Sequence, residues 1–299
     1  MTIIDNSMTK PKLGAVMVVQ NDEETIERSV LSFYDDVEAI AVSTDPKRGW
    51  SGVPITPDRT IEIIQSLDKD NKIDILQGDF CHSSDPMENE TKQRQMTADW
   101  LASKIDVLDW ICQIDADEEF LDFRLVAEHA AKLPKWCRGI KWQWVQIFNT
   151  LDDGRVLAVT DEAGNISLAA FPFAHRPFGR LVVARLPAIV PFALTRQTLR
   201  VNEVLLRTNG FTDFISVFDG ESNPAGLCLH YTFGKSEKRI SEKLKTWGHA
   251  HDFDTDAFFE LWKRSKTDWH DIRNFHPQSG TMWPALKAFT MEELRQAIQ

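Results

Sequence analysis

The sequence has little that would suit it to bind polyanions or to cross a membrane. Its 299 residues carry a formal net charge of −11, whereas nucleic-acid-binding proteins normally present a basic patch or stripe. The clearest local surplus of lysine and arginine, in residues 235–245, is short and contains two glutamates. The sequence has no apolar run of about 18 residues, the length that a spanning helix needs. We therefore expect no nucleic-acid partner and at most peripheral contact with a membrane.

Cysteine is scarce, and its spacing excludes the usual zinc motifs. The four cysteines never lie at a C-x-x-C spacing, and reduced thiols in a cytoplasmic protein are the simplest account of them. Residues 1–12 are polar and lack the apolar core of about 7–15 residues that a secretory signal needs. We therefore expect a cytoplasmic protein with a loose N-terminal segment over residues 1–12.

Tyrosine is nearly absent, although the other aromatic residues are abundant. The chain has ten Trp and 18 Phe but two Tyr. Such aromatic area suits either a thick core or platforms on which sugars stack, and composition does not separate the two. Trp142 and Trp144 would share one face of a strand, and they leave the same two alternatives open.

Four apolar runs alternate with helix-like segments in the first part of the chain. The first run, LGAVMVV, is typical of a strand that is buried on both faces of a parallel sheet. The runs are residues 13–19, 37–42, 73–76 and 110–114. Helix-start signals stand between them at residues 21–24, 56–57 and 85–88. This alternation predicts an α/β fold with a mainly parallel sheet covered by helices.

The helix-start signals differ in kind. Asn21 precedes an acidic first turn, Pro57 occupies a first helical position, and Asp85 opens a capping box that Glu88 closes. In the third helix, helical spacing places four large side chains on one face, namely Met96, Trp100, Leu101 and Ile105.

After residue 139 the pattern changes to strands or irregular segments joined by Gly- and Pro-containing turns. We expect them to extend the same sheet in antiparallel fashion. The predicted strands are residues 140–148, 166–173, 181–190 and 227–231. Helical segments follow at residues 236–247, 256–263 and 291–298. This predicts a domain over residues 13–235, with halves 13–119 and 120–235, and a C-terminal helical extension over 236–299.

Asp115 and Asp117 follow the fourth predicted strand directly. In parallel sheets, ligands bind beyond the carboxyl ends of the strands. Two carboxylates one residue apart can face Mg²⁺ or Mn²⁺ together, and these cations prefer hard oxygen ligands. Such a cation bridges the phosphates of a nucleotide and neutralises the charge that builds on the leaving group. A solvated acidic turn is the alternative, and the position at a strand end favours the metal site.

The segment DWICQIDADE, residues 109–118, resembles the "dwil.lDaDE" stretch of GT-A-fold glycosyltransferases close to family two. Residues 15–23 are similar to that family's first strand and helix start, and residues 43–45 resemble its S-x-D. Arg94 lies about where the family places an arginine, and residues 229–235 resemble its "lHys…s…K" segment. The resemblance spreads over residues 13–245. In one departure, strand two ends without the usual early Asp.

The resemblance implies a GT-A, Rossmann-like fold with a nucleotide-binding half (13–119) and an acceptor-side half (120–235). The implied activity is metal-dependent transfer of a sugar from a nucleoside-diphosphate sugar, with a UDP-sugar favoured. The implied acceptor is a saccharide or a lipid-linked molecule, as in polysaccharide biosynthesis. The implied cofactor is Mn²⁺ or Mg²⁺.

The resemblance also assigns the metal ligands. Asp117 is the principal ligand, Asp115 contacts the ribose or the metal, and His230 completes the metal shell. Imidazole can bind Mn²⁺, and its neutral form is available at pH 7. The alternative for His230 is a satisfied core histidine in a short apolar strand.

Four further residues would bind the nucleotide sugar by the same resemblance. Asn21 and Asp45 would lie near the base and ribose, and Arg94 would hold the nucleotide or a phosphate. Lys235, at the start of a cationic helix, could close over the diphosphate. A solvated helix face is the alternative for Lys235.

An inverting transferase needs a general base that takes the proton of the acceptor hydroxyl. Glu203 resembles the family's "HE" position, although Asn202 stands where the histidine would be. Asp213 and Asp219 compete with Glu203 for this role, and a surface carboxylate is the alternative for each. A retaining enzyme would need no such base, so the stereochemical outcome stays open.

Two other functions use a similar scaffold. A nucleotidyltransferase usually holds a triphosphate with a Gly-rich basic loop after strand one, whereas residues 20–24 here contain neither Gly nor Lys. A non-catalytic nucleotide- or carbohydrate-binding protein would be expected to lose the acidic pair, which is intact.

Overall fold

The computed structural model describes residues 10–133, 137–187, 198–201, 204–207, 214–216 and 227–298. Within these ranges, a mixed sheet is flanked by seven α-helices. Thirteen of the fifteen described strands join this sheet. The predicted α/β class is therefore confirmed. None of the described helices is both long and apolar enough to span a bilayer.

The first half of the sheet is parallel and has the spatial order β3-β2-β1-β4. Every residue of β1 and β2 is buried, because helices cover both faces of this half. Its strands are β1 (Leu13–Val18), β2 (Ala39–Thr44), β3 (Ile73–Gln77) and β4 (Trp110–Asp115). The connecting helices are α1 (Ile26–Leu31), α2 (Thr60–Leu67) and α3 (Pro86–Lys104). The predicted alternation is confirmed, and all four carboxyl ends meet at one edge.

Two predicted helix starts are wrong because the chain forms a connected loop there. Asn21 adopts a positive φ of 54°, and its side-chain amide donates to the Thr56 carbonyl. Its side-chain oxygen accepts the amide of Asp58. α1 therefore begins only at Ile26. The Asp58 carboxylate accepts the amide of Thr60, where α2 begins, so the predicted proline start lies in the loop.

The third helix begins where predicted, but its cap is not reciprocal. The Asp85 carboxylate accepts the amide of Met87 at 2.9 Å. Glu88 binds the Ser83 hydroxyl instead of reaching back to the Asp85 amide, which donates to that same hydroxyl. The N-cap is confirmed, and the closing half of the capping box is replaced by Ser83.

The predicted apolar face of α3 is wrong. Met96 is 51% exposed and Trp100 is 36% exposed, and Ile105 lies just beyond the helix end. The helix instead packs small or polar side chains on the sheet, so its buried face carries little of the apolar pattern used for the prediction. The buried residues are Pro86, Asn89, Glu90, Gln93, Arg94, Thr97, Ala98, Leu101 and Ala102.

The second half extends the sheet, as predicted, but the predicted antiparallel pairing holds only in part, because Phe214–Ser216 and Cys228–His230 pair parallel with the strand Gly139–Thr150. β8 (Leu168–His175) pairs antiparallel with both β4 and β6 (Gly139–Thr150). β6 also pairs antiparallel with β7 (Val156–Thr160). The other elements of this half are β5 (Glu118–Phe120), α4 (Arg124–Lys132), β9 (Leu181–Val183), β10 (Leu186–Pro187), β11 (Thr198–Val201), β12 (Val204–Arg207), β13 (Phe214–Ser216) and β14 (Cys228–His230).

One predicted strand of this half is wrong. Residues 181–187 form a separate two-stranded hairpin of β9 and β10, with Ala184 at a positive φ of 46° in its turn. The predicted continuous strand over 181–190 is therefore interrupted, and its last three residues lie outside the described ranges.

The C-terminal segment contains the three predicted helices and one strand that the sequence analysis missed. The helices are α5 (Glu237–Thr246), α6 (Thr255–Asp268) and α7 (Met291–Ile298). The strand is β15 (Ala285–Phe289), which pairs antiparallel with β7. This pairing ties the C-terminal segment to the sheet.

A second hydrophobic cluster lies between the sheet and α6. Trp262 is fully buried, and its indole N–H is shared between the carbonyls of Phe148, at 3.2 Å, and Phe233, at 2.9 Å. One side chain of α6 thus donates to a carbonyl of β6 and to a carbonyl of the segment after β14. This contact joins the C-terminal helices to the rest of the fold.

Trp262→Phe should lower the free energy of unfolding by about 1–3 kcal/mol, because it leaves two buried carbonyls without their donor. Trp262→Ala should cost about 3–5 kcal/mol, because it also leaves a cavity. Urea unfolding measures both. Trp100→Phe, at a half-exposed position, is the control and should change stability by at most about 0.5 kcal/mol. A Trp262→Ala protein as stable as this control would contradict the described packing.

Candidate functional site

The site lies where β1 and β4 end, because their parallel pairing places Val18 opposite Asp115. The chain then reverses into β5, which pairs antiparallel with β14 and sets His230 opposite Glu118. The Tyr231 amide donates to the Asp117 carbonyl at 2.8 Å. Strand pairing therefore brings His230 to the acidic turn despite the long separation in sequence.

The three predicted metal ligands come together. One ligand atom each from Asp115, Asp117 and His230 lies within 4.8 Å of the others. The Oδ1 of Asp117 is 3.4 Å from the Nε2 of His230. Two carboxylates and an imidazole suit Mn²⁺ and are compatible with Mg²⁺. This donor set fits a divalent cation, and its identity stays open.

Two arginines neutralise the Asp115 carboxylate. Arg94 Nη2 lies 2.6 Å from one oxygen of Asp115, and Arg185 Nη2 lies 2.6 Å from the other. Arg185 also lies 2.9 Å from Glu118, and Arg94 lies 2.9 Å from Glu90. Burial opposes ionisation of Asp115, but Arg185 and Arg94 outweigh it and lower its pKa to about 2. Asp115 is therefore an anion at neutral pH.

Two lysines hold the Asp117 carboxylate. Its Oδ2 lies 2.7 Å from Lys243 Nζ and 3.1 Å from Lys235 Nζ, and Lys235 also binds Asp22 at 2.7 Å. Burial opposes ionisation of Asp117, but Lys235 and Lys243 bring its pKa well below the usual value. The Lys235 side chain is only 1% exposed. The solvated helix face considered for Lys235 is therefore wrong, because β14 and the start of α5 turn this side chain inward.

The two lysines differ in how firmly they keep their protons. Burial lowers the pKa of Lys235, but Asp117 and Asp22 outweigh it and raise that pKa above the usual value. Burial dominates for Lys243, whose pKa is lowered despite its contact with Asp117. Lys235 is therefore a firmly charged partner of Asp117.

Glu118 holds the backbone of the acidic turn. It is fully buried, and its Oε2 accepts the Asp115 amide at 2.9 Å. Burial raises the pKa of Glu118, although Arg185 opposes this effect. The Ser29 hydroxyl donates to the Asp115 carbonyl at 3.1 Å. The N–H and the C=O of Asp115 are thus both hydrogen-bonded, which fixes the position of its carboxylate.

A cavity of about 90 Å³ lies against this turn; we call it the acidic cavity. Two of its lining residues carry a buried guanidinium nitrogen that has no hydrogen-bond partner among the described residues, namely Nη1 of Arg94 and Nε of Arg239. These two residues are 3% and 8% exposed. Unpartnered buried donors are costly, and an anion such as a phosphate would satisfy them. The lining residues are Val18, Gln20, Asp22, Trp50, Glu90, Arg94, Asp115, Ala116, Asp117, Arg239, Lys243, Thr246 and Trp247.

Asn21 and Asp45 lie beside the site but do not line the acidic cavity. The Asp45 carboxylate accepts the backbone amides of Lys47 at 2.9 Å and of Arg48 and Phe80 at 3.3 Å. Asn21 is engaged with the loop before α2. In this structure, both side chains shape loops at the ends of β1 and β2.

The sequence analysis did not assign three of the site residues, namely Arg185, Arg239 and Lys243. Arg239 and Lys243 lie four residues apart on one face of α5 and continue the spacing from the predicted Lys235, a signal that could have revealed them. Arg185 offered no such signal, because it belongs to the short hairpin of β9 and β10. The predicted bases Glu203 and Asp213 lie outside the described residues.

No family model matches this chain, and no curated protein matches it. The function of the site is therefore argued from its geometry and charge, together with the motif at residues 109–118.

Asp115→Asn should lower the free energy of unfolding at pH 7 by about 2–3 kcal/mol through the lost pKa difference alone. Because folding lowers the pKa of Asp115, its contribution is complete above about pH 5 and fades as the pH falls toward about 2. The difference in free energy of unfolding between the variant and the wild type should thus be about half as large near pH 3 as at pH 7. Urea unfolding at both pH values measures it.

Asp152→Asn, at a side chain that is 95% exposed, is the matched control for this experiment and should change little. A stability gap for Asp115→Asn that stays constant or widens on acidification would contradict the described ion pairs.

Proposed function

We propose that the protein is a metal-dependent glycosyltransferase with a GT-A-like fold. It moves a sugar from a nucleoside-diphosphate sugar, with a UDP-sugar favoured, to a saccharide or lipid-linked acceptor. The observation that supports this most directly is the acidic cavity, which is lined by Asp115 and Asp117 of the Asp-Asp-His group and by two arginines that each have a buried donor without a partner among the described residues. The same proposal includes a cytoplasmic setting with at most peripheral membrane contact.

The order of the parallel strands supports the fold part of this proposal. The order β3-β2-β1-β4 is that of a nucleotide-binding half of a doubly wound sheet, in which the ligand lies beyond the carboxyl ends of the strands. The acidic turn stands at such an end. In the proposed fold, antiparallel strands β6 and β8 belong to the acceptor side.

The cations around the acidic cavity supply what a diphosphate requires. A guanidinium is planar and presents two parallel donors, which match two oxygens of one phosphate. Arg94 and Arg239 each have one buried donor without a partner in the described part of the chain. Lys243 also lines the cavity. We assign Arg94, Arg239 and Lys243 to the diphosphate, and Lys235 to holding Asp117 beside it.

Asp117, Asp115 and His230 would hold the divalent cation. When bound, such a cation stabilises the negative charge that develops on the leaving diphosphate. In the free protein, Lys235 and Lys243 neutralise Asp117 instead. A diphosphate offers Lys243 another anionic partner and so leaves Asp117 with one neutralising lysine, Lys235, instead of two. Nucleotide and cation should therefore strengthen each other's binding.

Transfer also requires removal of the proton from the acceptor hydroxyl. Glu203 is the proposed base of an inverting reaction, and Asp213 is its competitor. Both assignments derive from the sequence. Asn21 and Asp45 are proposed to position the base and ribose through the loops that they hold.

One observation favours a second candidate, a non-catalytic nucleotide- or carbohydrate-binding protein. Both acidic residues are already neutralised by protein cations, Asp115 by two arginines and Asp117 by two lysines. A binding protein could keep this arrangement without any metal. Its nucleotide affinity would then be the same with and without a divalent cation.

Calorimetric titration with UDP, GDP and CDP, each with and without Mn²⁺, tests the proposed function. We expect UDP to bind most tightly, and at least about tenfold more tightly with Mn²⁺. Asp117→Asn should remove this gain, because it takes the charge from the principal ligand. Asp152→Asn is the matched control, and circular dichroism checks that both variants fold. If no nucleotide binds under any condition, or if Mn²⁺ changes nothing, the metal-dependent proposal is contradicted.

Glu203→Gln should keep the affinity for UDP with Mn²⁺ but lower sugar transfer at least about 100-fold, because the amide cannot take the hydroxyl proton. UDP release from UDP-sugars in the presence of acceptor saccharides measures the rate. Asp213→Asn is the parallel variant. If Glu203→Gln transfers sugar normally and Asp213→Asn does not, the base is Asp213. If both variants transfer sugar normally, neither residue is the base.

A further inference from the structure

A second cavity, of about 180 Å³, adjoins the proposed donor site; we call it the aromatic cavity. Trp247 lines both cavities. His230 connects them as well, since its ring centroid is 4.3 Å from that of Trp144, a wall of the aromatic cavity, while its Nε2 faces Asp117. A molecule in the aromatic cavity would therefore lie next to the acidic turn.

The walls of the aromatic cavity are mainly aromatic, and the ionisable side chains among the described lining residues are three histidines. The described residues that line it include Trp144, Trp247, Phe253 and Trp283 but no Lys, Arg, Asp or Glu. The acidic cavity, in contrast, is lined by several charged side chains. A phosphate or carboxylate would find no lysine or arginine on these walls, and the imidazole of His249 already pairs with the carboxylate of Asp252. The lining thus favours a neutral ligand.

Polar groups interrupt the aromatic walls at defined places. Gln146 is 5% exposed, and its side-chain N–H₂ bonds the carbonyls of Ile147 and His230. Its Oε1 accepts no hydrogen bond from any described residue. His249 and Gln278 also line the cavity. A purely apolar ligand such as a lipid tail would leave Oε1 of Gln146 unsatisfied, whereas His249 and Gln278 already bond the carboxylate of Asp252.

His276 presents a fixed donor. The backbone amides of Gln278 and Ser279 donate to its Nδ1 at 3.2 and 3.1 Å, so Nδ1 is unprotonated and Nε2 carries the hydrogen. Its ring packs edge-on against Trp283, with centroids 4.4 Å apart. The cavity thus offers a preset N–H beside an aromatic face.

The segment that carries these groups is anchored to the sheet. The Phe275 amide donates to the Trp283 carbonyl at 3.2 Å, and the Asn274 amide to the Pro284 carbonyl at 3.0 Å. β15 follows at once and pairs with β7. The cavity is therefore formed before a ligand arrives, which lowers the entropic cost of binding. Most of its walls come from residues beyond 245, outside the stretch that resembles the glycosyltransferase family.

We propose that the aromatic cavity binds a neutral sugar ring of the acceptor. Aromatic faces cover the apolar face of the ring, and the histidine and glutamine side chains bond its hydroxyls. This inference rests on the proposed function and narrows the acceptor to a molecule whose accepting end is a neutral sugar. A hydroxyl of this sugar bonds to the anomeric carbon of the donor sugar. The bond from that carbon to the diphosphate breaks, its electron pair leaves with the nucleotide, and the hydroxyl proton passes to the base.

Saturation-transfer NMR with methyl glycosides of glucose, galactose, mannose and N-acetylglucosamine tests the proposal on the full chain. At least one glycoside should receive saturation, and glucose 6-phosphate should bind less well than methyl glucoside. His276→Phe keeps a ring beside Trp283 but removes the N–H, so it should weaken binding about two- to tenfold. His270→Phe is the matched control, because His270 stacks on Trp269 but does not line the aromatic cavity.

Gln278→Ala, at an exposed side chain, is a second variant should His276→Phe fail to fold, and it should weaken binding as well. The proposal is overturned if no glycoside receives saturation or if glucose 6-phosphate binds better than methyl glucoside. It is also overturned if His276→Phe and His270→Phe weaken glycoside binding equally. Calorimetry of UDP with Mn²⁺ on the same samples separates it from the proposed function. Nucleotide binding without glycoside binding rejects the aromatic cavity alone, whereas variant-sensitive glycoside binding without nucleotide binding supports the cavity and contradicts the glycosyltransferase.

Discussion

The pairing of the Asp117 carboxylate with Lys235 and Lys243 is the contact on which the site depends. Asp117 follows the end of β4, Lys235 follows β14, and Lys243 belongs to α5. One carboxylate thus holds together the parallel half of the sheet, the returning strand and the C-terminal helices. Breaking a buried pair of this kind leaves an uncompensated charge, so the fold constrains these residues as strongly as any chemistry does.

The same pairing explains how the site can be both stable without ligand and receptive to one. The anions Asp115 and Asp117 are matched by cations from the protein, while guanidinium donors of Arg94 and Arg239 remain without partners in the described chain. In the proposed function, a diphosphate would satisfy those donors and compete for Lys243. Asp117 would then exchange one of its two ammonium partners for a divalent cation as the phosphates enter.

The sequence predicted those parts of this arrangement that repeat along the chain or follow a strand directly. The four parallel strands are recognisable by their apolar runs, and the acidic turn by its place directly after the fourth run. His230 was found through its short motif. The buried face of α3 was mispredicted, because it carries Gln93 and Arg94 in place of large apolar side chains. Arg185 was missed, because its place depends on hairpin packing that has no period in sequence. β15 was missed because AlaLeuLysAlaPhe is short and lies among helices.

The central claim is that nucleotide and divalent cation bind together at Asp117, with the phosphates drawing Lys243 away from it. Electron paramagnetic resonance of Mn²⁺ measures this directly, because free Mn²⁺ gives a strong signal that is lost on binding. A titration of Mn²⁺ with the protein should remove little signal alone and much more when UDP is present in equal amount to the protein. Mn²⁺ with UDP but without protein is the reference for the signal that UDP alone removes. If, after this correction, the protein removes as much signal without UDP as with it, the claim is contradicted.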